Sequence, residues 1–223
     1  STYDGSCTKT NEYNYGTGSG EISWAPIMGV GYGKNMTTWS EIAYNVGCNY
    51  AQNDLLQIVS VANQGVAYRA DEHGNDNSTA STLDVSTGSF SDSGIISQPS
   101  DTDVFKISIA DTSFLSVNAV PWNYGPSNEK ANLDISLIIK NAAGDIIRLH
   151  EPPTILHAYI ANLLLYPGDY FIYIDGIRNA NQSGYGSIGK YYINGTLTEA
   201  TVQALNADFV AGDTLLCRGT SAY

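Results

Sequence analysis

Val104-Phe105-Lys106-Ile107-Ser108-Ile109, followed by Phe114-Leu115-Ser116-Val117-Asn118-Ala119-Val120, decides the fold. Apolar and polar residues alternate with a period of two, the pattern of a strand with one face buried and one in water. Downstream the same signal returns in Leu133-Asp134-Ile135-Ser136-Leu137, in Ile146-Ile147-Arg148-Leu149, from Ile155 to Leu165, from Tyr170 to Asp175 and from Gly189 to Leu197. Turn-forming Ala142-Ala143-Gly144-Asp145 and Pro167-Gly168-Asp169 separate the runs. Short strands at this spacing predict an all-β chain built on a jelly-roll-like antiparallel β-sandwich.

Upstream the pattern differs. Residues 1–40 are rich in Gly, Tyr, Ser, Thr and Asn and read as a mostly irregular segment, anchored by Trp24-Ala25-Pro26-Ile27-Met28. Between Glu41 and Ala62 the second half turns helical. Asn53-Asp54 supplies the cap, Leu55, Leu56, Ile58 and Val59 the apolar residues, and Gly65 the stop. Residues 71–101 read as a polar linker leading into the sandwich. Residues 198–223 fall outside the alternating set and are expected to form a terminal helix or an added strand.

The chain has 223 residues, with 10 Lys and Arg against 22 Asp and Glu, a net charge of −12. A pI near 4.3 argues against nucleic acid and anionic membranes as partners, because both repel such a surface. No apolar run is long enough for a membrane helix. Hydrophobic residues make up 43% of the chain, enough for a packed core rather than disorder. The sequence opens Ser1-Thr2-Tyr3, which reads as a processed or excised piece. In an oxidising compartment Cys7–Cys48 is the simplest disulfide, leaving Cys217 free or bonded to another chain; three reduced, buried cysteines are the alternative. Asn35, Asn77, Asn181 and Asn194 each open an N-x-S/T sequon, so they are glycosylation candidates in a secreted eukaryotic setting.

Other chemistry finds little footing. The chain has no Gly-x-Ser-x-Gly elbow, and no motif selects a pair of carboxylates for glycoside hydrolysis. Gly29-Val30-Gly31-Tyr32-Gly33 lacks the Lys and following helix of a phosphate loop. His73, His150 and His157 lie far apart, without the spacing of a zinc site. Trp122, Tyr124, Tyr185, Tyr191 and Tyr192 offer faces for sugar or peptide, although sheet packing explains such residues more simply.

A family resemblance rests on several stretches in order: Asp71-Glu72-His73-Gly74-Asn75-Asp76, Gly94-Ile95-Ile96, Asp101-Thr102-Asp103-Val104-Phe105, Asn132 to Leu137, Asn141-Ala142-Ala143-Gly144, Leu165 to Gly176 and Tyr185 to Tyr191. Residues 71–197 thus resemble the bacterial pre-peptidase C-terminal domain, a module appended to secreted proteases. The resemblance implies calcium held by linker acids and amides and by Asp residues at the following turn. Carried onto this sequence, those positions are Asp71, Asn75, Asp76, Asp101 and Asp103. Hard oxygen donors of this kind suit calcium, and a solvated acidic linker is the alternative.

Residues 1–70 resemble the C-terminal end of a metzincin-type zinc peptidase domain, through Tyr3-Asp4-Gly5-Ser6, Trp24 to Tyr32, Thr38-Trp39-Ser40 and Asn53-Asp54-Leu55. Met28 stands at the family's Met-turn, where a buried Met packs beneath the zinc; in this chain it is expected to be a buried Met in a hydrophobic turn. No HExxH occurs, and Tyr3 occupies the place of the third zinc-binding His. Zinc and catalysis are therefore not expected in this chain. The reading is a secreted, non-catalytic extracellular module, calcium-stabilised, acting in attachment or assembly. Its partners would be other copies of itself, an extracellular protein or a polysaccharide. The alternative is a C-terminal fragment of an active zinc endopeptidase whose HExxH lies upstream of residue 1.

Overall fold

The computed structural model describes residues 2–4, 6–42, 52–63, 66–123, 125–126 and 128–200. The upstream segment contributes short pieces: β1 (Thr2–Tyr3), β2 (Lys9–Asn11), β3 (Trp24–Pro26), β4 (Met36–Thr38), β5 (Glu41–Ile42), β6 (Gln52–Asn53) and α1 (Asp54–Ile58). The rest is β7 (Ser81–Thr82), β8 (Ser89–Ile96), β9 (Thr102–Ile109), β10 (Ser113–Pro121), β11 (Ile135–Asn141), β12 (Ile146–His150), β13 (Ala158–Leu165), β14 (Gly168–Gly176) and β15 (Gly189–Glu199).

Two sheets form the sandwich. One has the order β13-β10-β15-β8 and is antiparallel throughout; the other runs β12-β11-β14-β9-β7, with only the short β7 parallel to its neighbour. Alternation decides which side chains face inward. Phe105, Ile107, Leu137, Ile139, Ile172 and Ile174 from the five-stranded sheet meet Leu115, Val117, Ala119, Ile160, Tyr191 and Ile193 from the four-stranded one. Burying each of the larger apolar side chains contributes about 1.5–3 kcal/mol, and this layer supplies most of the driving force. The β11–β12 turn follows its sequence signal. Asn141 accepts the Asp145 N–H through Oδ1, and Gly144 takes a positive φ of 90°, which costs glycine little.

The 71–101 stretch departs from the expectation of a polar linker, because it contains β7 and all of β8. In Ser89-Phe90-Ser91-Asp92-Ser93-Gly94-Ile95-Ile96 the side that carries the buried Phe90 and Ile96 also carries the exposed Asp92 and the side-chain-free Gly94, so the alternation breaks at both. The expected helix is also shorter. Asn53 caps α1 by accepting the Leu56 N–H, but only Leu55 is buried. The chain then leaves the helix at Ser60, whose hydroxyl donates to the Gln57 carbonyl, and continues as a 3-10 turn over Val61–Asn63. Leu56 and Val61 are exposed, so the apolar residues of this stretch are not all buried on one face, as a longer amphipathic helix would need. Gly65 and residues 201–223 lie outside the described residues.

The upstream segment packs on the sandwich. Ile22 and Met36 form a second small core with Ala131 and Leu156, against which Trp24 lies. Amide side chains tie the edges: Asn132 Oδ1 accepts the Thr37 N–H, Asn35 Nδ2 donates to the Asn128 carbonyl, and Asn181 Nδ2 donates to the Ile22 carbonyl. Tyr185 joins α1 to the sandwich, accepting the Leu55 N–H and donating to Asn53 Oδ1. Met36→Ala should therefore destabilise the protein by about 3 kcal/mol through the cavity it leaves. For a chain of this size that lowers Tm by roughly 6–12 °C in a calorimetric melt. An unchanged Tm would mean that the second core contributes nothing.

Candidate metal centre

The docking of the loop before β7 onto β9 builds the site. The Val104 N–H donates to the Gly74 carbonyl, and the Thr102 N–H donates to Asn75 Oδ1. This brings Asp71 against Asp101 and Asp103 at the entry to β9, where one oxygen from each of the three carboxylates lies within 4.8 Å of the others. Asp71 is exposed, while Asp101 and Asp103 are 2% and 0% exposed.

Each carboxylate is held by its neighbours. Asp71 accepts the His73 N–H through Oδ1 and the Asn75 amide through Oδ2. Asp101 Oδ2 accepts the Ser97 N–H at 2.6 Å, and Asp103 Oδ2 accepts the Tyr191 hydroxyl at 2.5 Å. The second oxygens of Asp101 and Asp103 are buried and find no hydrogen-bond partner among the described residues. A buried, unsatisfied polar atom costs about 1–3 kcal/mol, and more when charged. Burial, chiefly, raises the Asp103 pKa to about 7, with the Asp101 charge adding to the rise and the Tyr191 hydrogen bond opposing it. Burial and the Asp103 charge in turn hold the Tyr191 hydroxyl well above its usual range.

The donor set fits a hard divalent cation. It is all oxygen: three converging carboxylates, one on the loop before β7 and two at the entry to β9 that each have a buried oxygen without a partner among the described residues. Calcium accepts irregular shells of six to eight oxygens, so water or backbone carbonyls would complete the sphere. His73 is occupied elsewhere: its ring nitrogens contact the Ser81 hydroxyl and the Ser93 carbonyl, and its ring tilts against Phe105 at 4.4 Å.

Of the five expected ligands, the fold brings Asp71, Asp101 and Asp103 together. Asn75 stands beside them, bridging Asp71 to β9. Asp76 does not join them. Its Oδ1 caps the next turn, accepting from the backbone and hydroxyl groups of Ser78 and Thr79, which lowers its pKa. Tyr191 belongs to the site as a support for Asp103, a role the sequence reading missed. The available signal was Gly94, which pairs directly with Tyr191 across β8 and β15, since a glycine within a strand marks close approach.

The remaining candidates divide. Met28 is 83% exposed, which corrects the expectation of a buried Met. It occupies the outer corner of a turn closed by the Gly29 N–H to the Pro26 carbonyl, and Met36 is the methionine at 0% exposure. Tyr185 and Tyr191 are buried as packing predicts, whereas Trp122 and Tyr192 are exposed; Tyr124 lies outside the described residues. Cys7 is disulfide-bonded, and Cys48 and Cys217 lie outside the described residues. The Asn35 amide donates to two backbone carbonyls and the Asn181 amide to one, so a glycan there would displace these bonds. Asn77 accepts the Tyr173 hydroxyl, and Asn194 is exposed on β15.

No protein-family description matches this chain, and no curated protein matches it. Among solved structures, the chain is similar to the pre-peptidase C-terminal domain of a collagenase from Bacillus anthracis, at 14% identity and a TM-score of 0.35, over 59% of this chain and 100% of that one. It is also similar to PliG, a periplasmic inhibitor of g-type lysozyme from Aeromonas hydrophila, at 12% identity and a TM-score of 0.34, over 53% of this chain and 96% of that one.

Proposed function

We propose that this chain is a non-catalytic extracellular module, stabilised by calcium at Asp71, Asp101 and Asp103, that serves attachment or assembly. The observation that carries the calcium half is the convergence of three carboxylates, each with an oxygen within 4.8 Å of the others, two of which also carry a buried oxygen that finds no partner among the described residues. A cation there satisfies both oxygens and relieves the repulsion among the three acids. It also fastens the 71–76 loop to β9, which stiffens the entry to the sandwich. The motif resemblance of residues 71–197 supports the attachment half, and the absence of HExxH from the sequence supports the non-catalytic reading.

Melting the chain in EDTA and in calcium tests the proposal. Calcium at one hundred times its Kd stabilises the folded state by about 2.7 kcal/mol, so Tm should rise by roughly 5–10 °C. Asp71→Ala should remove most of that gain while leaving the melt in EDTA nearly unchanged, because Asp71 is exposed. Incubation with casein and zinc should give no cleavage. Equal melting with and without calcium, or casein cleavage by the pure chain, contradicts the proposal.

A further inference from the structure

The outer face of the four-stranded sheet carries a groove of about 700 Å³ whose lining includes Ser89, Ser91, Ser116, Asn118, Asn194 and Thr196. Strand pairing sets its rows. Tyr159 of β13, Asn118 of β10, Asn194 of β15 and Ser91 of β8 stand directly opposite one another across all four strands. The adjacent row aligns Ser116, Thr196 and Ser89. The side chains of Asn118, Asn194, Ser91 and Thr196 make no hydrogen bond to another described residue, so a row of amide and hydroxyl groups faces solvent with its bonding capacity unspent. Asp84 is the only charged residue of the lining, in a chain of net charge −12.

We infer that this groove binds a neutral oligosaccharide chain lying across the strands; the inference rests on the attachment reading above and names its ligand. Side-chain amides and hydroxyls are donors and acceptors together and match the hydroxyl groups of a sugar. The lining offers no Lys or Arg to pair with an acidic glycan, and the net negative charge repels one. An apolar ligand would leave the amides unpaired. Across the middle of the groove β10 and β15 are paired on both sides, so a peptide backbone could pair only at the outer edges of β8 and β13. Strands are about 4.8 Å apart, close to the length of one hexose unit, so successive sugars would each meet the next strand's polar side chain. Tyr159 ends the row with an exposed ring, held by a tilted contact to His150 at 4.7 Å and by stacking on His157 at 6.3 Å. A fixed aromatic face of this kind is a ready platform for the apolar side of a sugar ring. The volume is that of a pocket for a ligand of several rings.

The test is calorimetric titration of the full chain in calcium with cellohexaose, chitohexaose, laminarihexaose and xylohexaose, with hexagalacturonate and mixed casein peptides alongside. At least one neutral hexasaccharide should bind with Kd below about 1 mM. Asn118→Ala, Asn194→Ala and Tyr159→Ala should each weaken that binding tenfold or more, while Tm and calcium affinity stay at the native values. The inference is overturned if none of the neutral sugars binds, if only the acidic sugar or the peptides bind, or if the three variants bind as the native chain does. Calcium binding without sugar binding sinks the groove assignment and leaves the metal centre standing; sugar binding that survives loss of the calcium effect upholds the groove alone.

Discussion

Gly94→Ala is expected to be among the most damaging single substitutions in the sandwich, with a loss of about 3 kcal/mol or more. A Cβ at this position would come within 2.3 Å of both Asp103 Oδ2 and the Tyr191 hydroxyl. Those two atoms form the buried hydrogen bond that joins the sheets at the metal centre. Neither group has room to retreat, because both residues are 0% exposed. Either β8 shifts or the bond breaks. Overpacking alone costs about 1–3 kcal/mol, and a hydrogen bond to a charged group contributes about 1.5–3 kcal/mol more. Calcium should bind at least tenfold more weakly to this variant, because Asp103 loses the support that orients it. A variant that melts and binds calcium like the native chain would show that β8 and β15 do not meet at this register.

The second large effect concerns pH. Asp134 is 1% exposed, with one oxygen accepting from Asn179 and the other without a partner among the described residues. Burial raises its pKa to about 7; the Glu151 and Glu21 charges add to the rise and the Asn179 hydrogen bond opposes it. The folded chain therefore holds this proton over a range in which the unfolded chain has released it. Stability is greatest below the unfolded pKa near 4 and falls as pH rises through about 7, after which it levels off. The full loss is on the order of 4 kcal/mol. In saturating calcium, Asp134→Asn should flatten this decline and make the chain more stable at pH 8 than the native protein, since an asparagine still accepts from Asn179. Denaturant unfolding at pH 5 and pH 8 reads the difference directly. A native chain as stable at pH 8 as at pH 5 would mean that Asp134 is solvated.

The sandwich was legible wherever alternation was intact. The runs read at Val104–Ile109, Phe114–Val120, Tyr170–Asp175 and Gly189–Leu197 fall within β9, β10, β14 and β15. β8 was missed because two of its four inward-parity positions carry no apolar side chain: Asp92 is charged and exposed, and Gly94 stands where a Cβ would meet Asp103 and Tyr191. β11 begins at Ile135 rather than Leu133, since Asp134 and Leu133 belong to the loop that meets Asn179 and Ser187. The acids of the candidate site were visible as a cluster in sequence, but which of them converge was not. Asp76 lies in the same short stretch as Asp71 and yet turns away, because its own Ser78 and Thr79 satisfy it locally. Local side-chain competition of this kind does not show in spacing. Met28 failed for a similar reason. Its hydrophobic neighbours suggested burial, while the tight turn at Pro26–Gly29 points it outward.

The central claim is that Asp71, Asp101 and Asp103 hold one calcium ion, and calorimetric titration of calcium into the metal-free chain tests it most directly. The account predicts a single site of unit stoichiometry, lost in Asp101→Asn and weakened at least tenfold in Asp71→Ala, with Asp76→Ala binding as tightly as the native chain. Absence of binding heat together with an unchanged melt, or binding that survives Asp101→Asn and disappears in Asp76→Ala, would contradict it.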